Sequence, residues 1–351
     1  MFVERSPHLC PRCNVKRLSQ QEFDSGYSEE FPTVPVNAIC RALLLVENCS
    51  ISADTTYFQL SLVMTLNNFV LPPSILLNPL LQNWLQEDIG RGDRTTQSLI
   101  YTDEIAGEAE WIAKAPGVIA GLPVAFRVFE LLNPEIRCIS LINEGEVCEK
   151  GQVIAKITGS LATLLTGERV ALNLAMRLSG IATLTRKYVD KIADLPTQFV
   201  DTRKTTPGLR ILEKYATQVG GAINHRMGLD DAVMIKDNHI TAAGGITEAI
   251  SRVRSRIPYT LSIEVETETI EQVQEALKNH ADIIMLDNMP PDMMREAVAL
   301  IRQQDNRVKI EASGNVNLET IRAVAETGVN YISSSAPVTQ SSWLDLSMKI
   351  R

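Results

Sequence analysis

The sequence predicts an α/β protein in which a small α+β domain precedes an α/β barrel. Three observations carry that prediction. From Asp201 onward, short apolar strands alternate with amphipathic helices, the pattern of a parallel sheet wrapped by helices. Each strand stops in a polar residue: Asp201, Lys236, Glu266, Asp287, Ser313 and Ser335. In a barrel such ends converge on one mouth, whereas in an open doubly wound sheet they divide about a switch point, so polar residues at every end favour the barrel. Ahead of this region, short strands punctuated by Pro116-Gly117, Gly121 and Gly151 surround a single helix, as in a small α+β domain.

Residues 1–63 stand apart from the rest of the chain. They hold Cys10, Cys13, Cys40 and Cys49 and show no sustained period. They read as an extension, either a disordered leader or an untranslated stretch before a start at Met64. Cys10-x-x-Cys13 beside His8 resembles half of a zinc knuckle, but no second C-x-x-C occurs to complete four ligands. Residues 64–171, with the tail 340–351, make the first domain, and residues 172–339 make the barrel.

The elements run in order. From Pro79, LLQNWLQEDIG has helical apolar spacing and a glycine stop. GRGDRTTQSLI reads as a polar loop. GEAEWIAK, GVIAG, IRCISLI and QVIAKITG read as strands, and PVAFRVFELLN between them as a helix. NEGEVCEKGQVIAKITG has the look of a carrier-domain hairpin without the tip lysine, so it is read as architecture. A long helix starts near Thr166-Gly167-Glu168-Arg169. The strand reaching Asp201 precedes the helix LRILEKYATQVGG, AVMIK precedes ITEAISRVRSRI, LSIEVE precedes IEQVQEALKNHA, DIIMLD precedes PDMMREAVALIRQQ, VKIEAS precedes NLETIRAVAETG, and YISSS comes last. The final SSWLDLSMKIR is expected to return to the first domain.

Composition narrows the function classes. A net charge of −8 argues against an extended nucleic-acid footprint. Six cysteines in 351 residues do not make a disulfide framework, which favours a reducing, cytoplasmic setting. No apolar run is long enough to span a bilayer, and the first residues carry no signal-peptide core. Neither a P-loop nor a strand-linked G-x-G-x-x-G occurs, which argues against an ATPase or a dinucleotide dehydrogenase.

Within this acidic protein, Arg203, Lys204, His225, Arg226, Lys236 and His239 fall inside forty residues, which points to a small anionic ligand. Glu266 and Asp287 suit Mg²⁺ or sugar hydroxyls. Ser313-Gly314-Asn315 and Ser333 to Ala336 offer backbone N–H groups at the late strands, where α/β barrels hold phosphate. The set describes a site for a phosphosugar, a metal and a second anion. Each part has a competing reading: a solvated basic loop, an acidic surface in EVETETIE, a helix cap at Asp287, a plain turn at Ser313-Gly314, a structural histidine at His225. Alternation puts Glu264 and Glu266 on one face of their strand, so at least one points inward.

At DTRKTTPG, NHRMGL, IKDNHI, EVE, IMLDN and SGN, and at GERVALNLAMRLSGIAT, the chain from about Leu76 to Arg351 resembles the quinolinate phosphoribosyltransferase family, the carboxylating nicotinate-nucleotide pyrophosphorylases. The resemblance implies an N-terminal α/β sandwich and an incomplete, TIM-like barrel, assembled as a homodimer or larger with shared active sites. It implies phosphoribosyl transfer from phosphoribosyl pyrophosphate to quinolinate with decarboxylation, and Mg²⁺ as cofactor. By motif position, Arg203, Lys204, Arg226 and Lys236 would bind quinolinate and phosphate oxygens, with Thr202 and His225 beside them. Arg169 would enter from the neighbouring subunit. Glu266 and Asp287 would face ribose and metal, and Ser313, Gly314, Asn315, Ser334, Ser335 and Ala336 would hold the 5′-phosphate. Catalysis would fall to Lys204, Lys236, Glu266 and Asp287. The chain departs from the family's S-V-G-A-L-T at Ser335, which replaces glycine, and at Gln340, where a histidine is frequent. The rival functions are a related phosphoribosyltransferase for another small acid and a catalytically dead regulator that binds phosphometabolites.

Overall fold

The computed structural model describes residues 69–100 and 105–351, and the expectations for residues 1–63 and for a start at Met64 lie outside them. Helix α1 (Ser74–Ile89) buries Leu77, Leu81 and Leu85, at the three- and four-residue spacing of one helix face. It begins five residues before Pro79, which lies inside the helix and has no N–H for the Ile75 carbonyl, so one rung of the ladder is missing there. The segment read as a polar loop instead forms α2 (Arg94–Leu99). Asp93 nucleates it by accepting the Thr96 N–H at 2.9 Å and the Thr96 hydroxyl at 2.6 Å.

The first lobe contains β1 (Ala106–Ala113), β2 (Gly117–Val118), α3 (Leu122–Leu132), β3 (Arg137–Ser140), β4 (Val147–Cys148) and β5 (Val153–Ser160). Strands β1, β5 and β3 form an antiparallel sheet, and α1 and α3 pack with the long helix α4 (Leu161–Asp190) over it. Trp111 on β1 and Phe129 on α3 meet edge to face at 6.2 Å in this core. The expected hairpin between β4 and β5 does not form. Gly151, at φ 87°, turns the chain and donates its N–H to Ala113 at 2.7 Å, while β4 pairs with β2. Glu144 caps α3 by accepting the Gly121 N–H at 2.6 Å and the Leu122 N–H at 3.0 Å, and burial holds its carboxyl above the usual range.

Helix α4 starts earlier than the sequence suggests, where Ser160 caps it, and it runs unbroken across position 171/172. Its first two-thirds pack in the first core, and Tyr188 near its end packs in the second.

The second lobe alternates β6 (Gln198–Val200), α5 (Arg210–Val219), β7 (Val233–Ile235), α6 (Asp237–Ala243), α7 (Ile246–Arg254), β8 (Ile263–Thr267), α8 (Ile270–Lys278), β9 (Ile283–Asp287), α9 (Pro291–Gln304), β10 (Lys309–Ser313), α10 (Ile321–Ala325), β11 (Tyr331–Ser333) and α11 (Ala336–Thr339). Its strands pair in parallel in the order β6-β11-β10-β9-β8-β7. Among the described residues β7 does not pair with β6, so the barrel is incomplete. Helix α6 has no counterpart in the sequence expectation. Gly244, at φ 92°, ends it with a left-handed residue, separating it from α7. The last strand ends at Ser333 rather than Ser335, because Ser335 is already in α-helical conformation at the start of α11.

The chain closes with β12 (Leu346–Ile350), which pairs antiparallel with β1, Trp111 opposite Met348. No described helix is long and apolar enough to cross a membrane. The returning segment crosses α4 at Gly180, where an added Cβ would stand 2.0 Å from the Ser342 carbonyl oxygen. Gly180→Ala is therefore expected to lower stability by about 1–3 kcal/mol, the usual range for overpacking, and urea denaturation measures it.

Candidate active site

The C-terminal ends of the second-lobe strands line a cavity of about 720 Å³. Thr202, Arg203, Lys204, His225, Arg226, Lys236, Glu266, Asp287, Ser313, Gly314 and Asn315 all lie on its wall. The order of the sheet explains the convergence, since neighbouring parallel strands in register deliver their ends to one side. Ser333 also lines the cavity, whereas Ser334, Ser335 and Ala336 do not. The Ser334 N–H is spent on the Val200 carbonyl at 3.2 Å, and its hydroxyl donates to the Val316 carbonyl at 3.2 Å. Arg169 is exposed on α4 and lines a separate cavity of about 470 Å³, with Trp84, Glu87 and Asp88.

The basic wall is built on a buried carboxylate. Asp201, just beyond β6, pairs with the Lys214 ammonium of α5 and accepts the Thr217 hydroxyl at 2.9 Å, the Asn224 amide at 2.8 Å and the His225 N–H at 2.8 Å. Lys214 also donates to the His225 carbonyl at 2.9 Å. Burial pulls the Lys214 ammonium below its ordinary pKa, and Asp201 opposes that pull. The arrangement fixes the turn from Asn224 to Arg226. A second buried carboxylate, Glu213, fixes the Arg203–Lys204 loop. It accepts Arg177 of α4 at 2.8 Å, the Thr206 N–H at 2.8 Å and the Thr206 hydroxyl at 2.9 Å. Arg210 ties the two loops together by donating to the Thr205 hydroxyl at 3.0 Å and the Met227 carbonyl at 3.3 Å.

Four cations thus face one cavity. Arg226 is anchored by donating to the Ala232 carbonyl at 2.9 Å, and burial followed by the nearby charge of Arg203 lowers its pKa. The Arg203 Nε–H is buried without a partner, a donor free for a ligand. Lys236 bonds Glu266 across the mouth. Asp287 is raised above the usual carboxylate range by burial, then by the charge of Glu266. Glu266, held by Lys236, and Asp287, near enough for the Glu266 charge to act on it, are oxygen donors of the kind that Mg²⁺ takes. At the ends of β9 and β10 two left-handed turns interlock. Asn288 (φ 54°) donates its N–H to Ser313, and Asn315 (φ 53°) donates its side-chain amide to Asn288 at 2.9 Å. Gly314 lies between them, where a Cβ would meet the Asn288 side-chain oxygen at 2.2 Å, so no larger residue fits.

An acidic pair lies behind His225, with Glu311 reaching the cavity. Glu264 and Glu311, 2% and 3% exposed, approach His225 Nε2 at 3.2 and 3.5 Å. Burial favours a neutral imidazole, but the two carboxylates outweigh it and raise its pKa to about 10. The Arg226 N–H donates to Nδ1 at 2.7 Å, so Nδ1 carries the lone pair and Nε2 the hydrogen. Burial also pushes the Glu264 carboxyl up, so the ring and Glu264 titrate together rather than independently.

Comparison with known proteins decides the family. The family model described as "Quinolinate phosphoribosyl transferase, N-terminal domain" matches residues 93–179, and its C-terminal counterpart matches residues 181–349. The chain belongs to the quinolinate phosphoribosyl transferase family. A Synechocystis relative named as a probable carboxylating nicotinate-nucleotide pyrophosphorylase is 60% identical over 280 residues, 80% of this chain and 94% of its own length. A Bacillus subtilis relative of the same name is 47% identical, over 78% of this chain and 93% of its length. The crystal structure of NadC from Streptococcus pyogenes superposes with a TM-score of 0.77 at 38% identity, covering 80% of this chain and 99% of that one.

For a quinolinate phosphoribosyl transferase family member, the sequence reading overlooked several residues of the site. Glu311 carried a signal, as an acid between Ile310 and Ala312, two places before Ser313 and therefore on the same face of the strand. Met234, Met285 and Asn288 also line the cavity, and Glu213, Lys214 and Arg210 sit in a helix that reads only as amphipathic.

Two outcomes are expected. Asp201→Ala leaves Lys214 buried and unpaired, and should destabilise the fold by about 3–5 kcal/mol in urea denaturation. Because the His225 cluster holds its proton more tightly folded than unfolded, its stabilisation is complete below pH 6.5 and is lost as pH rises toward about 10. The urea midpoint should fall over that window in the wild type, and the fall should be smaller in His225→Gln.

Proposed function

We propose that the protein transfers phosphoribose from phosphoribosyl pyrophosphate to quinolinate and decarboxylates the product, yielding nicotinate mononucleotide, CO₂ and pyrophosphate. The observation that carries this reading is the meeting of Arg203, Lys204, Arg226 and Lys236 with Glu266, Asp287 and the 313–315 turn in one cavity of a family member. A pyridine dicarboxylate needs cations arranged to hold two carboxylates at once, and guanidinium groups do this bidentately. A phosphosugar needs hydroxyl acceptors and backbone donors, which the late strand ends supply. Lys204 and Lys236 neutralise the anionic ligands, and Glu266 and Asp287 face the ribose.

The pyridine nitrogen is already a nucleophile, so holding it in line with the anomeric carbon contributes more than general-base work. As pyrophosphate leaves, positive charge grows on the ribose, as in other glycosyl transfers, beside the Glu266 and Asp287 carboxylates. When bound to these two residues, Mg²⁺ would neutralise charge on the departing pyrophosphate. The quaternary nitrogen then stabilises the ylide left when CO₂ departs from the adjacent carbon, which takes up a proton. The cationic wall disposes the dicarboxylate for both steps in a pocket of fixed dipoles.

The test is direct. Purified protein with quinolinate, phosphoribosyl pyrophosphate and Mg²⁺ should release CO₂ and nicotinate mononucleotide. Turnover of nicotinate in place of quinolinate would identify a related transferase, and no turnover with either would identify a regulator.

The active site is proposed to be shared within a homodimer. Arg169, exposed and outside the cavity of Lys236, supports this, as does the exposed apolar group of Val70, Ile75 and Leu76 around the start of α1. If Arg169 completes the partner's site, Arg169→Ala and Lys236→Ala should each be nearly inactive alone. Refolded together in equal amounts, they should recover roughly a quarter of wild-type activity, since random pairing makes half the dimers mixed and each mixed dimer has one intact site. No recovery despite demonstrated mixed dimers would place Arg169 in its own subunit's site or outside it.

A further inference from the structure

His225 is held at every polar atom it has. Asp201 accepts its backbone N–H at 2.8 Å, Lys214 donates to its carbonyl at 2.9 Å, and the Arg226 N–H occupies Nδ1 at 2.7 Å. The ring's remaining nitrogen, Nε2, faces Glu264 at 3.2 Å and Glu311 at 3.5 Å. These carboxylates come from β8 and β10, strands separated by β9. In register, Glu264 lies beside Ile283 and Glu311 beside Met285, so the two side chains reach inward from either side of β9 to meet at the ring.

Burying two carboxylates beneath a pocket that gathers cations for an anion is costly. Each loses its hydration, and each repels the ligand the pocket is built to hold. Each also keeps one buried oxygen, Oε1, without any hydrogen-bond partner. A structural need to satisfy one N–H is met by one acceptor, so the second carboxylate calls for another reason. The second carboxylate adds a contact from the opposite side of the ring edge and prevents the imidazole from rotating about its Cβ–Cγ bond. Of the pair, Glu311 lines the ligand cavity, as does His225 itself.

We infer that Glu311, with Glu264 opposite, is a positioning residue that acts through His225: the pair locks the imidazole as a rigid part of the wall against which the pyridine dicarboxylate is seated. This rests on the proposed quinolinate reaction. The effect of Glu311 falls on the dicarboxylate rather than on the phosphosugar.

Two conservative substitutions separate reach from charge. Glu311→Gln keeps an oxygen at the same distance from Nε2 and removes the charge. Glu311→Asp keeps the charge and withdraws the oxygen by one methylene. Steady-state kinetics should show a smaller rise in quinolinate KM for Glu311→Gln, which keeps the acceptor in place, than for Glu311→Asp. Glu311→Asp should raise it by roughly ten- to a hundredfold, the scale of a mispositioned group, with the KM for phosphoribosyl pyrophosphate unchanged. In a His225→Ala background the Asp penalty should vanish, because the group through which Glu311 acts is gone. The inference is overturned if Gln is the more impaired variant, if both substrates' KM values move together, if neither variant differs from wild type, or if the Asp penalty persists without His225. Wild-type turnover of quinolinate is measured first, so failure of the proposed reaction is seen separately, as no product from the unaltered protein.

Discussion

The second lobe depends on the ion pair between Asp201 and Lys214. Both are almost fully buried, and their mutual attraction must offset the loss of two hydration shells. It does so only because the remaining hydrogen-bonding capacity is used. Asp201 receives two side-chain donors and a backbone N–H beyond Lys214, and Lys214 finds the His225 carbonyl as well. The pair joins the end of β6, the middle of α5 and the turn at 224–226. Those three pieces carry or adjoin most of the cationic wall, so a buried pair of opposite charges decides where the cavity's cations stand.

The cavity is electrostatically layered. Its rim carries Arg203, Lys204, Arg226 and Lys236, its mouth the Glu266–Asp287 pair, and its floor Glu311 and His225, with Glu264 behind the imidazole. A ligand bearing carboxylates at one edge and acquiring positive charge on its ring nitrogen meets complementary charge at both places. Little of this needs to move during reaction. Backbone hydrogen bonds and buried carboxylates fix the groups in advance, which is the arrangement that makes electrostatic stabilisation effective.

The two lobes are joined by more than a linker. Helix α4 belongs to both cores, Arg177 on it holds Glu213 beneath the Arg203–Lys204 loop, and Tyr215 of α5 donates to Glu144 of the first lobe at 2.7 Å. The returning strand β12 closes the first sheet after crossing α4 at Gly180. The first lobe is thereby part of the scaffold that sets the loop geometry of the second.

Much of this was legible in the sequence. Alternating strands and amphipathic helices reveal themselves by period, and the polar residue ending each strand marks the mouth, because in a parallel sheet every strand points the same way. That logic brings Arg203, Lys204, Lys236, Glu266, Asp287 and Ser313 to one cavity without any knowledge of packing. Local capping was harder to see. The helix opened by Asp93 hid in a polar segment, and Ser335 read as strand although it begins a turn of helix. Glu213, Lys214, Arg177 and Gly180 could not be assigned at all from the chain. Their roles arise from contacts with residues far away in sequence, and an amphipathic helix shows which face is buried but not what charge waits across it. Likewise Glu311 announced an inward carboxylate, while its meeting with Glu264 over His225 was decided by the order of strands in the sheet, because pairing that spans long stretches of chain leaves no local pattern to read.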